Sequence, residues 1–406
     1  MPAQSHTLSN GLNIVHLQTD SPVAYCGFAI NVGARDEHPD EYGLAHFVEH
    51  TLFKGTLKRK ARHILNRMEN VGGELNAYTS KEETFIYSVF MEKDFERAVE
   101  LMSDLIVNSQ FPENELDKER EIIIDEILSY EDSPSELIYD DFENLLFDGH
   151  PLGHHILGDK RSLASFGPAS GLSFIKRFYT AANMIFFSMS KTDFRRIKKV
   201  AEKYLAAIPA QKPMTNRTVP HDIKPQRIEK KKTTHLSHVI IGGCAYDLYD
   251  ERRHPLFLLN NILGGPGMNS RLNISLREKH GLVYNVESNI TSYTDTGVFS
   301  IYFGTEPKNR ERAIRLVEKE LSALRTKKLS DIQLAAAKKQ AIGQLGVASD
   351  HKENVFLGLG KSFLHYNRHE TLPDVFRRIE NITSEQLLET ANDILLPEKI
   401  FRLIYE

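Results

Sequence analysis

Apolar positions along the first half of the chain follow two different periods. Leu12 to Leu17 and Val23 to Val32 are nearly continuous apolar runs of strand length and predict buried strands. From Gly43 to Lys54, Leu44, Phe47, Val48 and Leu52 recur at helical spacing and predict a helix with one apolar stripe. Ala61, Ile64, Leu65, Met68 and Val71 form a second stripe, closed by the stop signal Gly72-Gly73. Leu75 to Thr79 and Thr84 to Phe90 flank Ser80-Lys81-Glu82-Glu83 and predict a hairpin. Phe95, Ala98, Val99, Met102, Leu105 and Ile106 predict another amphipathic helix, and Pro112 opens a long one over 113–130.

The pattern fades between Ile208 and Pro225, where Pro209, Pro213, Pro220 and Pro225 sit among polar residues. Proline cannot donate to a ladder and restricts the residue before it, so 208–225 reads as a linker between domains at 1–207 and 226–406. The second half predicts strands at Leu236 to Tyr246 and Gly297 to Thr305. Its helices fall at Pro255 to Leu263, Asn309 to Arg325, Asp331 to Val347 and Glu385 to Ile394. Strands and helices recur in similar order in both halves. The expected class is α+β: two similar domains related by duplication, each an antiparallel-rich sheet packed by helices.

The chain has 406 residues, 41% of them hydrophobic and 26% charged, which is globular composition. Its net charge of −4 leaves no basic excess for nucleic acid or an anionic membrane surface, and neither partner is expected. No apolar run is long enough to span a bilayer. The N-terminal residues carry neither a secretory nor a transit pattern, and Cys26 and Cys244 lie in apolar stretches. A cytoplasmic location is therefore expected.

The chemistry concentrates in Gly43 to His50. On a helix His46, Glu49 and His50 occupy i, i+3 and i+4 beside the apolar stripe. Two imidazoles one turn apart can hold one zinc ion, a third protein ligand leaves the fourth position open, and Glu49 is placed to take a proton from water. The third ligand is sought on the helix over 113–130, where Glu119, Ile122, Glu126 and Ser129 share one face by 3.6-residue periodicity. A carboxylate on a covered face needs a cation. Periodicity does not choose between Glu119 and Glu126. The histidine-rich stretch Gly149 to Gly158 could also bind metal, but its Pro151 and glycines favour a turn.

The stretch His46-Phe47-Val48-Glu49-His50-Thr51-Leu52-Phe53-Lys54-Gly55-Thr56 resembles the signature of the inverted-motif zinc metallopeptidases, the family of pitrilysin, insulin-degrading enzyme and mitochondrial processing peptidase. That family's third ligand is a Glu about 76 residues beyond the second His, which falls on Glu126. Its auxiliary Glu, seven residues earlier, falls on Glu119. The resemblance implies one Zn2+ per chain on His46, His50 and Glu126, with Glu49 as general base and Glu119 as an auxiliary, proton-handling or orienting carboxylate.

Gly72 to Thr79 resembles the family's edge strand, so Asn76, Ala77, Tyr78 and Thr79 are implied to pair with an extended substrate. Arg277 and Tyr284, seven apart after the Gly264-Gly265-Pro266-Gly267 run, match an Arg and a Tyr that bind substrate backbone and stabilise the oxyanion. Pro266 interrupts what is commonly an unbroken glycine run. The resemblance extends over the whole chain. It implies a zinc metalloendopeptidase acting on short or unfolded peptides, and a dimer closing like a clamshell around a chamber. A chain with both the zinc set and the Arg/Tyr pair favours a homodimer over a heterodimer. Two alternatives share the fold: a processing peptidase of narrow specificity for targeting signals, and a non-catalytic peptide-binding subunit. The complete ligand and base set favours the enzyme.

Overall fold

Two sheets organise the chain. The computed structural model describes residues 2–213, 215, 217–221 and 223–406. The first sheet contains β1 (Gln4–Thr7), β2 (Asn13–Gln18), β3 (Val23–Ile30), β4 (Glu74–Thr79), β5 (Thr84–Met91) and β6 (Met184–Ser190), in the order β1-β2-β6-β3-β5-β4. The second contains β7 (Arg227–Lys230), β8 (Ser237–Ala245), β9 (Val283–Ser292), β10 (Gly297–Thr305) and β11 (Phe401–Tyr405), in the order β7-β11-β8-β10-β9. With β1 set aside the two orders are the same.

The strand directions agree as well. β2 and β6 are parallel, as are β7 and β11, and every later neighbour in both sheets is antiparallel. The fold is α+β, with the same five-strand topology built twice.

The chain divides into two compact units. One comprises 1–128, 154–217 and 349–371; the other comprises 129–153, 218–348 and 372–406. This departs from the single cut expected at 208–225, because each half lends a segment to the other half's unit. The described linker residues carry neither helix nor strand, and Met214, Asn216 and Asp222 of that stretch lie outside the described residues.

The exchange has a packing reason. Along β3, Ala24, Cys26, Phe28 and Ile30 enter one buried cluster, while Tyr25 and Ala29 enter another on the opposite face. A strand that is apolar on both faces must be covered on both. Helices of the first half cover one face, and the helix Lys352–Tyr366 covers the other with Phe356, Leu359 and Phe363. Phe356 stacks on Phe187 at 4.3 Å, and a Cβ on Gly360 would lie 2.7 Å from the same ring. In the second unit the helix Pro134–Leu146 does the equivalent: Ile138, Phe142 and Leu146 pack with Ile240, Leu403 and Tyr405 of the sheet.

The lent helix of the first unit is also held by charge. His365 lies 2.6 Å and Lys361 3.1 Å from Glu83 Oε1, in the turn between β4 and β5. Burial raises the Glu83 carboxyl's pKa, but the His365 hydrogen bond and the Lys361 charge outweigh it and hold the value below the ordinary 4.5. A depressed folded pKa stabilises above the unfolded value, and that contribution is lost as pH falls through the folded one. Below about pH 4.5 wild type should therefore lose stability more steeply than Glu83→Gln. Urea midpoints across that range test this, and equal slopes would refute it.

Candidate metal centre

The helix Leu44–Thr51 has only two turns, and its sequence anchors it at both ends. Leu44, Phe47 and Val48, with Leu52 just beyond, are essentially fully buried, which orients the opposite side outward. Gly43 precedes the helix at φ +95°, and a Cβ there would lie 2.7 Å from Leu157 O, so the entry requires glycine. Glu37 supplies the N-terminal cap. Its two carboxylate oxygens accept the N–H groups of Gly43 and Ala45 at 2.9 and 2.7 Å. His154 Nε2 lies 3.1 Å from the same carboxylate, and its ring stacks on Tyr42 at 3.8 Å. Burial pushes the Glu37 pKa well above its usual range, against the pull of the two backbone donors.

The helix Glu113–Glu131 brings the distant carboxylates. Its buried residues are Leu116, Glu119, Ile123 and Ile127, a stripe turned by about one residue from the expected face. Ile122, expected on the covered face, is 49% exposed. Glu119 lies on the buried stripe, and Glu126 at its border.

His46, His50 and Glu126 converge: one ligand atom from each lies within 4.8 Å of the others. Glu126 Oε2 is 3.7 Å from His46 Nε2 and 3.6 Å from His50 Nε2. They are the only group of this kind among the described residues. Their donors fit a zinc ion, two imidazole nitrogens and one carboxylate oxygen with a position left for water. Burial, with His50 beside it, lowers the His46 pKa to about 3, so its ring is neutral at physiological pH and its lone pair is available. His46 Nδ1 is buried and has no hydrogen-bond partner among the described residues.

Glu49 projects from the same helix. Burial raises its pKa, with Thr79 opposing, so the carboxylate is a better proton acceptor than one in water. Thr79 ends β4, which among the described residues pairs only with β5 and forms the edge of its sheet. The base therefore stands beside an open strand edge running Asn76-Ala77-Tyr78-Thr79. Glu119 is not in the ligand trio. Its Oε2 is 3.3 Å from His50 Nδ1, and its Oε1 is 2.6 Å from Lys54 Nζ.

Arg277 and Tyr284 are brought together in the second unit. Arg277 lies in a π-helical turn, Asn273–Glu278, and its guanidinium is 5.8 Å from the Tyr284 ring, which is 89% exposed at the start of β9. The helix before β9 carries Phe257, Asn260 and Asn261. Asn260 donates to Ser288 O of the edge strand at 3.0 Å, much as Glu49 faces Thr79 in the first unit. No metal-ligating trio is found there among the described residues. The duplicated scaffold thus carries two different sets of side chains. Of the histidine-rich stretch, His150 meets Thr218 O and His154 serves Glu37, so these two rings are engaged in holding loops.

Residues 14–160 match the family described as insulinase (peptidase family M16), and 168–341 match the peptidase M16 inactive domain. An uncharacterized zinc protease of Bacillus subtilis, YmxG, is 31% identical over 401 residues, which are 98% of this chain and 97% of that protein. This chain belongs to peptidase family M16. A second relative, an uncharacterized zinc protease of Rickettsia felis, is 32% identical over 95% of this chain and 93% of its own.

Two solved structures share the M16 fold. One is the peptidase M16 inactive domain from Pseudomonas fluorescens, with TM-score 0.93 at 20% identity, covering 100% of this chain and 98% of that one. The other is a protease from Helicobacter pylori, with TM-score 0.92 at 21% identity and full coverage of both chains. The M16 chain has no helix, among its described residues, long and apolar enough to cross a membrane.

Glu37, Lys54 and His154 are the site-supporting residues that reading the sequence missed. Lys54 lies inside the quoted motif and His154 inside the histidine-rich stretch, where its partner Glu37 is not indicated, whereas Glu37 sits in a stretch with no pattern of its own.

Proposed function

We propose that this M16 chain is a zinc endopeptidase for short or unfolded peptides. The observation that carries this reading is the convergence of His46, His50 and Glu126 beside a half-buried Glu49 and an open edge strand. Zinc on those three ligands would supply the Lewis acidity that activates water and polarises a carbonyl. Glu49 accepts the proton from the attacking water and returns it to the leaving amine. β4 receives an extended substrate through its free backbone groups, from Asn76 to Thr79. A folded protein cannot offer such a strand, and main-chain pairing reads few side chains, which favours loose sequence preference.

Arg277 and Tyr284 belong to the same proposal. A cation and a phenol donor side by side suit the substrate backbone and the oxyanion. We assign them to the site of a second copy in a homodimer that encloses the substrate in a chamber. The cytoplasm is the proposed location, supported by two cysteines that form no disulfide.

The test is cleavage of an unstructured peptide and of a disulfide-locked folded protein, before and after chelation. The peptide should be cut, the folded protein spared, and activity lost on chelation and restored by zinc. Cleavage that persists without metal would overturn the proposal.

A further inference from the structure

We propose that Lys54 is a positioning residue for the metal site, acting on His50 through Glu119. The inference rests on the ligand reading above and adds a residue to it. The trio is split between two helices, with His46 and His50 on Leu44–Thr51 and Glu126 on Glu113–Glu131. Something other than the ion must hold these helices in register.

Lys54 follows the first helix directly, in a turn where its N–H donates to Thr51 O at 3.1 Å. Its ammonium reaches across to Glu119 Oε1 at 2.6 Å, two turns before Glu126 on the second helix. The other oxygen of Glu119 lies 3.3 Å from His50 Nδ1. A carboxylate has no proton to give, so this contact assigns the hydrogen to Nδ1 and leaves the Nε2 lone pair facing Glu126 and the ligand cluster.

Glu119 cannot do this alone. Its side chain is 7% exposed and lies on the apolar stripe of its helix, where an uncompensated carboxylate is costly. Lys54 is 25% exposed at its side chain, so the ammonium is accessible to solvent while its bond to Glu119 faces inward. With Lys54 gone, Glu119 would have no cation to fix its rotamer, and the His50 ring would lose the partner that sets its angle.

The test is a double-mutant cycle on the full chain, read as zinc affinity by competition with a chromophoric chelator and as kcat on a peptide. Lys54→Met should weaken zinc binding by roughly 10–100-fold and lower kcat, the range expected when an outer partner of a metal ligand is removed. Lys54→Arg, which keeps a cation and donors, should recover most of both. Adding Glu119→Gln to Lys54→Met should cost little more than either change alone, because both break one chain of contacts.

Wild-type zinc affinity in Lys54→Met, or fully additive losses, would overturn the proposal. His50→Ala separates the two levels of inference. Zinc lost in His50→Ala but unchanged in Lys54→Met refutes the role of Lys54 alone. Zinc retained in His50→Ala refutes the ligand assignment, and the role of Lys54 with it.

Discussion

Glu49→Gln is expected to bind zinc as wild type does and to hydrolyse peptides about 10²–10⁴-fold more slowly, the usual worth of a positioned general base. The amide keeps the shape of the carboxylate but cannot accept the proton. Glu49 is outside the group of three atoms that converge, so metal content should not change. Its partner Thr79 lies at the end of β4, so the variant also keeps the strand edge that would hold the substrate. KM should therefore move far less than kcat. Metal analysis beside steady-state kinetics gives the answer, and peptide turnover at the wild-type rate would remove Glu49 from the mechanism.

Glu126→Gln should have the larger effect on the metal. It replaces the only anionic ligand of the trio with a neutral amide and leaves two imidazoles on one short helix. The loss of zinc affinity should exceed the roughly 10–100-fold that an outer partner costs, and activity should fall with occupancy. Glu126 is 34% exposed at its side chain and is not among the buried residues of its helix, so the fold should survive the change. Circular dichroism and chelator competition on the same sample would separate metal loss from unfolding. A variant that holds zinc at wild-type affinity would mean that another group completes the site.

Most local elements were legible because their residues recur with a clear period. The helix carrying His46 and His50 was expected over 43–54 and spans Leu44–Thr51, and the hairpin after it falls at β4 and β5 with the expected turn between. Other pieces escaped. β6 reads Met-Ile-Phe-Phe-Ser-Met-Ser and lies centrally between β2 and β3, yet it pairs with β2 only after more than 160 intervening residues. Nothing local to a seven-residue run states such a partner. The helix Lys352–Tyr366 was missed as well. Its apolar residues serve a sheet whose strands lie in the other half of the chain, so the cut at 208–225 assigned it to the wrong unit.

The sequence by itself placed two imidazoles and a carboxylate side by side, because His46, Glu49 and His50 sit within about one turn on any helix drawn through them. It raised the expectation of a repeat, since apolar runs follow similar orders in both halves, and the matching strand orders of the two sheets made that repeat visible. Periodicity did not decide which carboxylate faces the imidazoles; the family spacing implied Glu126, and the packing of its helix sets that residue beside them. Glu119 and Glu126 are two turns apart on one helix, and a rotation of about one residue sets one behind His50 and the other in front of it. Tertiary structure alone decided that Glu37 caps the helix of His46 and that Lys54 meets Glu119. Such contacts join residues with no shared period, and packing brings them together only after each helix has buried its own apolar face.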